Sequence, residues 1–153
     1  NPQSILYVWN GGLGIWGAIA GGVAGAALFL KLNQLKISRG LMDVVFFGLP
    51  LGQAIGRWGN FFNNEIVGKN GEPLFLYESL ADLLLFVIIW RWQKKLSGKV
   101  AGFYLIGYGL IRVLLEPLRP DTIIWKIGEV PTAQLFSIAA LGLGIYLISR
   151  RQV

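Results

Sequence analysis

From Ile5 to Leu30 the chain carries no charged residue, and Val130–Ser149 is a second uncharged run. The Leu13–Leu30 part alone is long enough to cross the hydrocarbon core of a bilayer. Three further apolar segments lie between these runs, at Leu41–Gly56, Leu74–Trp90 and Val100–Leu115. Each contains or abuts a charge: Asp43, Glu78, Asp82 or Arg112. A charge at the centre of a span costs about 3 kcal/mol or more, so such residues face protein or water rather than lipid. Soluble domains carry about a quarter charged residues; this one carries 14%, against 54% hydrophobic. The pattern predicts an all-α, polytopic membrane helical bundle of about five transmembrane helices. It forms one integral-membrane domain over residues 1–153.

Basic residues orient the bundle. Lys31, Lys36 and Arg39 follow the first run; Arg91, Lys94, Lys95 and Lys99 follow the third; Arg150 and Arg151 follow the last. With five spans these regions share one side, which is then cytoplasmic. On the other side Arg57, Lys69, Arg119 and Lys126 are nearly balanced by Glu65, Glu72, Asp121 and Glu129. Net charge is +6, which suits anionic lipid. The charges form no basic stripe, so nucleic acid is not a partner. There is no cysteine and no histidine, which removes the commonest nucleophile, general base and metal ligands. No metal or cofactor is expected.

Arg57, Arg112 and Arg119 gather toward the outer leaflet, where topology gives no reason for arginine. One explanation is anchoring to lipid phosphates by snorkelling. The other is a site, because polar residues accompany them. In "GRWGNFFNNEIVG", Gly56–Gly68, Arg57 is followed by Asn60, Asn63, Asn64 and Glu65. A planar, forked guanidinium suits a phosphate better than an ammonium does. In a purely structural account the amides cap helix ends and Glu65 neutralises Arg57. In "YGLIRVLLEPLRPD", Arg112, Glu116 and Arg119 fall at i, i+4 and i+7, with Tyr108 one turn earlier on the same helical face. Glu116 can hold Arg112 in one rotamer, and Pro117 and Pro120 end or kink the helix. The structural alternative is an ion pair that stitches two spans. Glu78 and Asp82, at i and i+4, can pair with Arg57, with Arg112 or with nothing. Tyr77 is an interfacial aromatic by default. Gly17, Gly21 and Gly25 form a small-residue helix contact face. Asn10, Gly11 and Gly12 form irregular polar backbone near the outer surface, which is tolerable where it lines a cavity.

Together these motifs resemble the prolipoprotein diacylglyceryl transferase family. "GRWGNFFNNEIVG" resembles its signature: Gly-Arg, Gly-Asn-Phe, an Asn, a Glu and a closing Gly. "WNGGLGIWGAIAGG", "PLFLYE" and "YGLIRVLLEPLRPD" resemble three further elements, in the same order. The resemblance implies a seven-span enzyme of the bacterial inner membrane, with its site toward the outer leaflet. The five spans here match the last five, so two N-terminal spans are missing. It implies transfer of a diacylglyceryl group from phosphatidylglycerol to the lipobox cysteine thiol of a preprolipoprotein, with no metal or cofactor. Its partners are phosphatidylglycerol, the lipobox segment and membrane lipids. By motif, Arg57, Arg112, Glu65 and Glu116 are catalytic candidates. Arg57, Asn60, Asn63, Gly68, Tyr77, Glu78, Tyr108, Arg119, Asn10, Gly11 and Gly12 are substrate-binding candidates. The chain departs from the family where Trp16-Gly17-Ala18 replaces its His-Gly-Gly and Glu72-Pro73 replaces its His-Pro. Without histidine, the thiol proton is left to Glu65 or Glu116, or the thiolate arrives preformed. The alternatives are a homologue that binds anionic phospholipid without catalysis, and a small anion channel or carrier.

Overall fold

A computed structural model of the chain describes residues 15–36, 38–63, 67–120, 124, 126–127 and 130–149; for residues 15–20 and 126–127 it describes the backbone alone. Five helices account for most of them: α1 Ile15–Leu32, α2 Arg39–Phe62, α3 Leu74–Trp92, α4 Val100–Leu115 and α5 Thr132–Ser149. Each overlaps one of the apolar segments of the sequence, but α2 runs six residues past the expected end at Gly56, so Arg57 and Asn60 are helical. The last helix starts two residues later than Val130–Ser149 predicts. Val130 and Pro131 instead form β2, which pairs antiparallel with β1, Lys126–Ile127. Pro131 cannot supply an amide hydrogen to a helix and so marks its boundary. The chain divides into two compact units, Asn1–Ile37 and Ser38–Val153.

In the first unit, α1 ends where Gln34 takes a left-handed φ of 53° and Leu35 donates its N–H to the Leu30 carbonyl at 2.9 Å. This is the usual way a helix satisfies its last carbonyls. Gly17, Gly21 and Gly25, the row predicted as a contact face, all lie in this helix.

The second unit is a bundle of four helices that alternate in direction. Ser38 caps α2 by accepting a hydrogen bond from the Leu41 N–H at 3.2 Å. Ala54 of α2 is bound from α3 by the buried Ser79 hydroxyl, which donates to its carbonyl at 2.8 Å. At one end of the bundle, Asp43 of α2 reaches the start of α4. Its carboxylate accepts from the Val100 N–H at 3.0 Å and from the Gly98 N–H. Gly98 has a φ of 75°, a conformation glycine adopts without strain. The charge that looked misplaced at Asp43 thus caps a neighbouring helix, whose N-terminal dipole favours an anion. Arg39, Lys94, Lys95 and Lys99 belong to this same end.

An apolar core of Leu85, Ile89, Leu96, Val100 and Tyr104, backed by Phe46 and Phe47, fills that half of the bundle. The other half is polar inside. Glu78 and Asp82 are each 1% exposed and Glu116 3%, while Phe62, Leu114 and Phe136 are more than two-thirds exposed. Acids inside and large apolar side chains outside is the reverse of a water-soluble fold. Two helical stretches, Val100–Leu118 and Thr132–Ser149, are long and apolar enough to cross a bilayer.

α4 and α5 meet along a small-residue seam that sequence reading misses. Gly102 lies against Gly144, and Gly109 against Ser137. Both pairs are seven residues apart, so the helices run antiparallel. A Cβ built on Gly144 would stand 2.7 Å from the Gly102 carbonyl oxygen and 2.8 Å from Ile106 Cγ1. Backbone cannot yield cheaply, and overpacking costs about 1–3 kcal/mol. Gly144→Ala should therefore lower the midpoint of thermal unfolding in detergent, whereas Gly142→Ala, with nothing within 4 Å, should not. Equal midpoints would show that the seam is not tight.

Candidate functional site

The polar end of the bundle is organised by one carboxylate. Glu78 stands in the second turn of α3, on the face that carries Leu74, Asp82, Leu85 and Ile89 inward. Arg57 approaches it from the last turns of α2, with Nε 2.7 Å from Oε2. That oxygen accepts no hydrogen bond among the described residues, so the contact is an ion pair outside hydrogen-bonding geometry. Arg112, in the last turn of α4, donates from Nη1 to Oε1 at 3.1 Å. Arg119 donates from Nη2 to the same oxygen at 2.6 Å. Three guanidiniums from three parts of the chain thus converge on one buried acid.

Glu116 is the second anion. Its Oε2 accepts from Arg112 Nη2 at 2.8 Å and lies 3.7 Å from Arg119 Nε. α4 ends at Leu115, and Glu116–Leu118 continues as a 3₁₀ turn containing Pro117. The proline that breaks the helix thereby swings Arg119 back toward α3. The i, i+4 pairing of Arg112 with Glu116 is as the spacing predicts. Arg112 therefore bridges Glu78 and Glu116 through its two terminal nitrogens, which only a guanidinium can do. The three arginine side chains remain 12–20% exposed, while both glutamates are within 3% of full burial.

Asp82 lies one turn below Glu78 on the same face. It is buried, and neither of its oxygens has a hydrogen-bond partner among the described residues. Of the partners open to the α3 acids, Glu78 takes both Arg57 and Arg112, and Asp82 takes none. Below Arg112 on α4, Tyr108 stacks on Tyr104 with ring centroids 5.7 Å apart. The Tyr104 hydroxyl donates to Gln53 Oε1 of α2 at 3.1 Å. Tyr104, Tyr108, Arg112, Phe136, Ser137 and Ala140 are among the lining of a groove of about 340 Å³ between α4 and α5. It is an apolar channel with a guanidinium at one end.

The other candidates fall around this centre. Asn60 is half-buried one turn beyond Arg57. Asn63 is exposed at the C-terminal boundary of α2, its backbone N–H bonded to the Gly59 carbonyl at 3.0 Å. Tyr77 is 41% exposed, on the outer face of α3. Gly68 is buried in the tight α2–α3 connection, where any Cβ would collide with the Glu72 side chain. Glu65, Asn10, Gly11 and Gly12 lie outside the described residues.

The Gly68–Pro73 connection is built by Glu72, which stands where the related motif has histidine. Hydrogen bonds from the Asn70 side chain and from its N–H, both 2.9 Å, hold the Glu72 carboxyl below the usual carboxylate range. A lowered value means that this turn is held above the ordinary carboxylate range and released as pH falls through the lowered one. The Lys69 N–H donates to the Leu118 carbonyl at 2.9 Å. The connection is thereby tied to the 3₁₀ turn that aims Arg119.

Removing one partner of a buried charge set leaves the rest uncompensated, at about 3–5 kcal/mol. Glu78→Ala should therefore destabilise the protein strongly in a melt at low ionic strength. Added phosphate should recover part of the loss by occupying the vacated guanidiniums. A Glu78→Ala variant with an unchanged midpoint would show that the arginines do not depend on this acid.

With this geometry in view, similarity to known proteins is informative. The family model of prolipoprotein diacylglyceryl transferase matches residues 1–150. A phosphatidylglycerol--prolipoprotein diacylglyceryl transferase of Synechococcus elongatus is 39% identical over 175 residues, covering 94% of this chain and 60% of the relative. Those of Finegoldia magna and Listeria innocua are 36% and 34% identical, over 96% and 100% of this chain and 64% of each relative. The chain thus spans somewhat over three-fifths of the length of these relatives. Charged centre, motif order and matched extent agree: the chain belongs to the prolipoprotein diacylglyceryl transferase family.

Proposed function

We propose that this chain carries the phosphate-handling centre of a phosphatidylglycerol–prolipoprotein diacylglyceryl transferase. The observation that carries the proposal is the convergence of Arg57, Arg112 and Arg119 on a single carboxylate. A carboxylate offers two oxygens to forked donors, and so does a phosphodiester. The position of Glu78 therefore marks where a lipid phosphate would be stabilised.

In the proposed reaction the thiolate of the lipobox cysteine attacks the sn-3 carbon of the diacylglyceryl group. A carbon–sulfur bond forms, the carbon–oxygen bond breaks, and glycerol phosphate leaves with the electron pair. Negative charge grows on the departing phosphate, where preplaced guanidiniums lower the barrier most. The same positive field favours thiolate over thiol. Arg57 and Arg112 clamp the phosphate, Glu116 orients Arg112, and Arg119 supports both. Glu65 or Glu116 accepts the thiol proton. Asn60, one turn beyond Arg57, and Tyr108, one turn before Arg112 in the same groove lining, are the proposed headgroup contacts. The groove between α4 and α5 suits an acyl chain, because it is apolar and opens beside Arg112.

The same reading supplies a topology of five spans in the bacterial inner membrane. Acids inside and apolar side chains outside suit a lipid solvent, and the arginine cluster lies at the end opposite Lys94, Lys95 and Lys99. With the basic end cytoplasmic, the cluster faces the outer leaflet. A second reading, binding of anionic phospholipid without chemistry, is favoured by the contact that each of the three arginines already makes with an acid.

Turnover separates the two. Lysine keeps the charge and loses the fork. Arg57→Lys and Arg112→Lys should each slow diacylglyceryl transfer to a lipobox peptide by about a hundred- to a thousandfold, the cost of one transition-state charge contact at roughly 3–4 kcal/mol. Arg119→Lys should cost much less. The assay uses the full enzyme, with folding checked by thermal melting. Near-normal turnover in both lysine variants would reduce these arginines to anchors.

A further inference from the structure

Asp82 has no place in the proposed chemistry, yet it is among the most deeply buried side chains of the molecule. Neither of its oxygens has a hydrogen-bond partner among the described residues, whereas Glu78 and Glu116 each accept from a guanidinium. A buried carboxylate without donors is costly unless something else compensates it. The charges that act on it come from each element around the site. They are Arg57 from α2, Glu78 from its own helix, and Arg112 from α4, with the Tyr104 phenol also in range. Glu116 and Arg119 complete the cluster from the 3₁₀ turn and the residue after it. Among the described residues, three guanidiniums therefore stand against three carboxyl groups. With Asp82 ionised that set is electrically balanced, and the charge on Asp82 is offset by the nearby guanidiniums without a hydrogen bond.

A phosphate diester that enters this cluster adds one negative charge to a balanced, poorly solvated site. It must share the guanidiniums with Glu78 and Glu116, both of which have direct contacts to keep. Asp82 has none. We propose that an anion bound at the arginine cluster is accompanied by uptake of one proton on Asp82. The inference rests on the reading that the cluster receives a phosphate anion, and adds that this binding is coupled to protons. The proton restores neutrality at the one acid that loses no hydrogen bond by accepting it. By linkage, affinity for the anion then strengthens as pH falls, by up to about tenfold per pH unit where a whole proton is taken up. Asp82 is a positioning and charge-balancing residue in this account and touches no reacting atom.

The experiment is calorimetric titration of the full protein in neutral detergent at pH 7.5, in two buffers of different ionisation enthalpy. Two probes are used, dihexanoyl phosphatidylglycerol and dimethyl phosphate. Both are diesters with no proton of their own to exchange near neutrality. The dependence of binding enthalpy on the buffer counts protons. The wild-type protein should take up close to one proton with phosphatidylglycerol. Uptake with dimethyl phosphate as well assigns the effect to the phosphate; uptake with the lipid alone assigns it to the intact headgroup and tails. Asp82→Asn should bind with uptake near zero and with affinity independent of pH.

No uptake in the wild type overturns the proposal, and so does Asp82→Asn that keeps the uptake. If Asp82→Asn does not fold, the pH dependence of wild-type affinity decides instead: a flat profile from pH 6 to 9 overturns the proposal. Diacylglyceryl transfer without proton uptake would leave the proposed function standing and remove this inference. Proton-coupled binding without transfer would do the reverse. Failure of both probes to bind would overturn the anion site on which the two rest.

Discussion

The attraction between Glu78 and three guanidiniums is the interaction on which this half of the molecule depends. Arg57, Arg112 and Arg119 repel one another, and Arg57 comes from a segment 55 residues before Arg112. Without an anion between them, the ends of α2 and α4 and the 3₁₀ turn would be driven apart. The energy is not a simple gain, because burying an acid is itself expensive and a buried ion pair often does little for net stability. What the arrangement provides is geometry. Arg112 is held at two of its nitrogens by two different acids, and Arg119 at one. Preplacing donors before charge develops is the arrangement that lowers barriers most effectively.

The remaining structure holds these ends in register. The alternating helices put the end of α2, the start of α3 and the end of α4 at one pole. At the other pole Asp43 fastens α2 to the start of α4. Between them the Ser79 hydroxyl binds α3 to the backbone of α2, and Tyr104 binds α4 to Gln53. Inter-helix hydrogen bonds of this kind act as glue where apolar surface offers no preference for protein over lipid. The glycine seam lets α5 close on α4 and form one wall of the groove beside Arg112.

The helices were legible because apolar runs of near-span length leave few alternatives, and the end of α4 was legible from Pro117. The arginines were legible as misplaced charges, and the motif resemblance named them. The pairing was not legible. Glu78 and Asp82 are both acids on one face of α3, and nothing in the spacing says that one gathers three arginines and the other none. That depends on where α2 and α4 lie, which only the fold decides. The same limit hides Asp43, whose partners are 55 and 57 residues away. The α4–α5 seam was missed for a different reason: Gly102, Gly109 and Gly144 are scattered, while the glycines of the first helix are dense enough to draw attention. Glu65 and the Asn10–Gly12 entrance lie outside the described residues, so their candidate roles rest on motif alone.

The central claim is that the guanidiniums gathered by Glu78 take up a lipid phosphate. Solid-state magnetic resonance can test it directly, by measuring phosphorus-to-nitrogen dipolar couplings between phosphatidylglycerol and ¹⁵N-arginine side chains in proteoliposomes. The account predicts strong ³¹P dephasing of guanidinium signals that disappear in Arg57→Lys and Arg112→Lys. Arginine signals untouched by phosphorus, in a preparation that transfers diacylglyceryl groups normally, would contradict it.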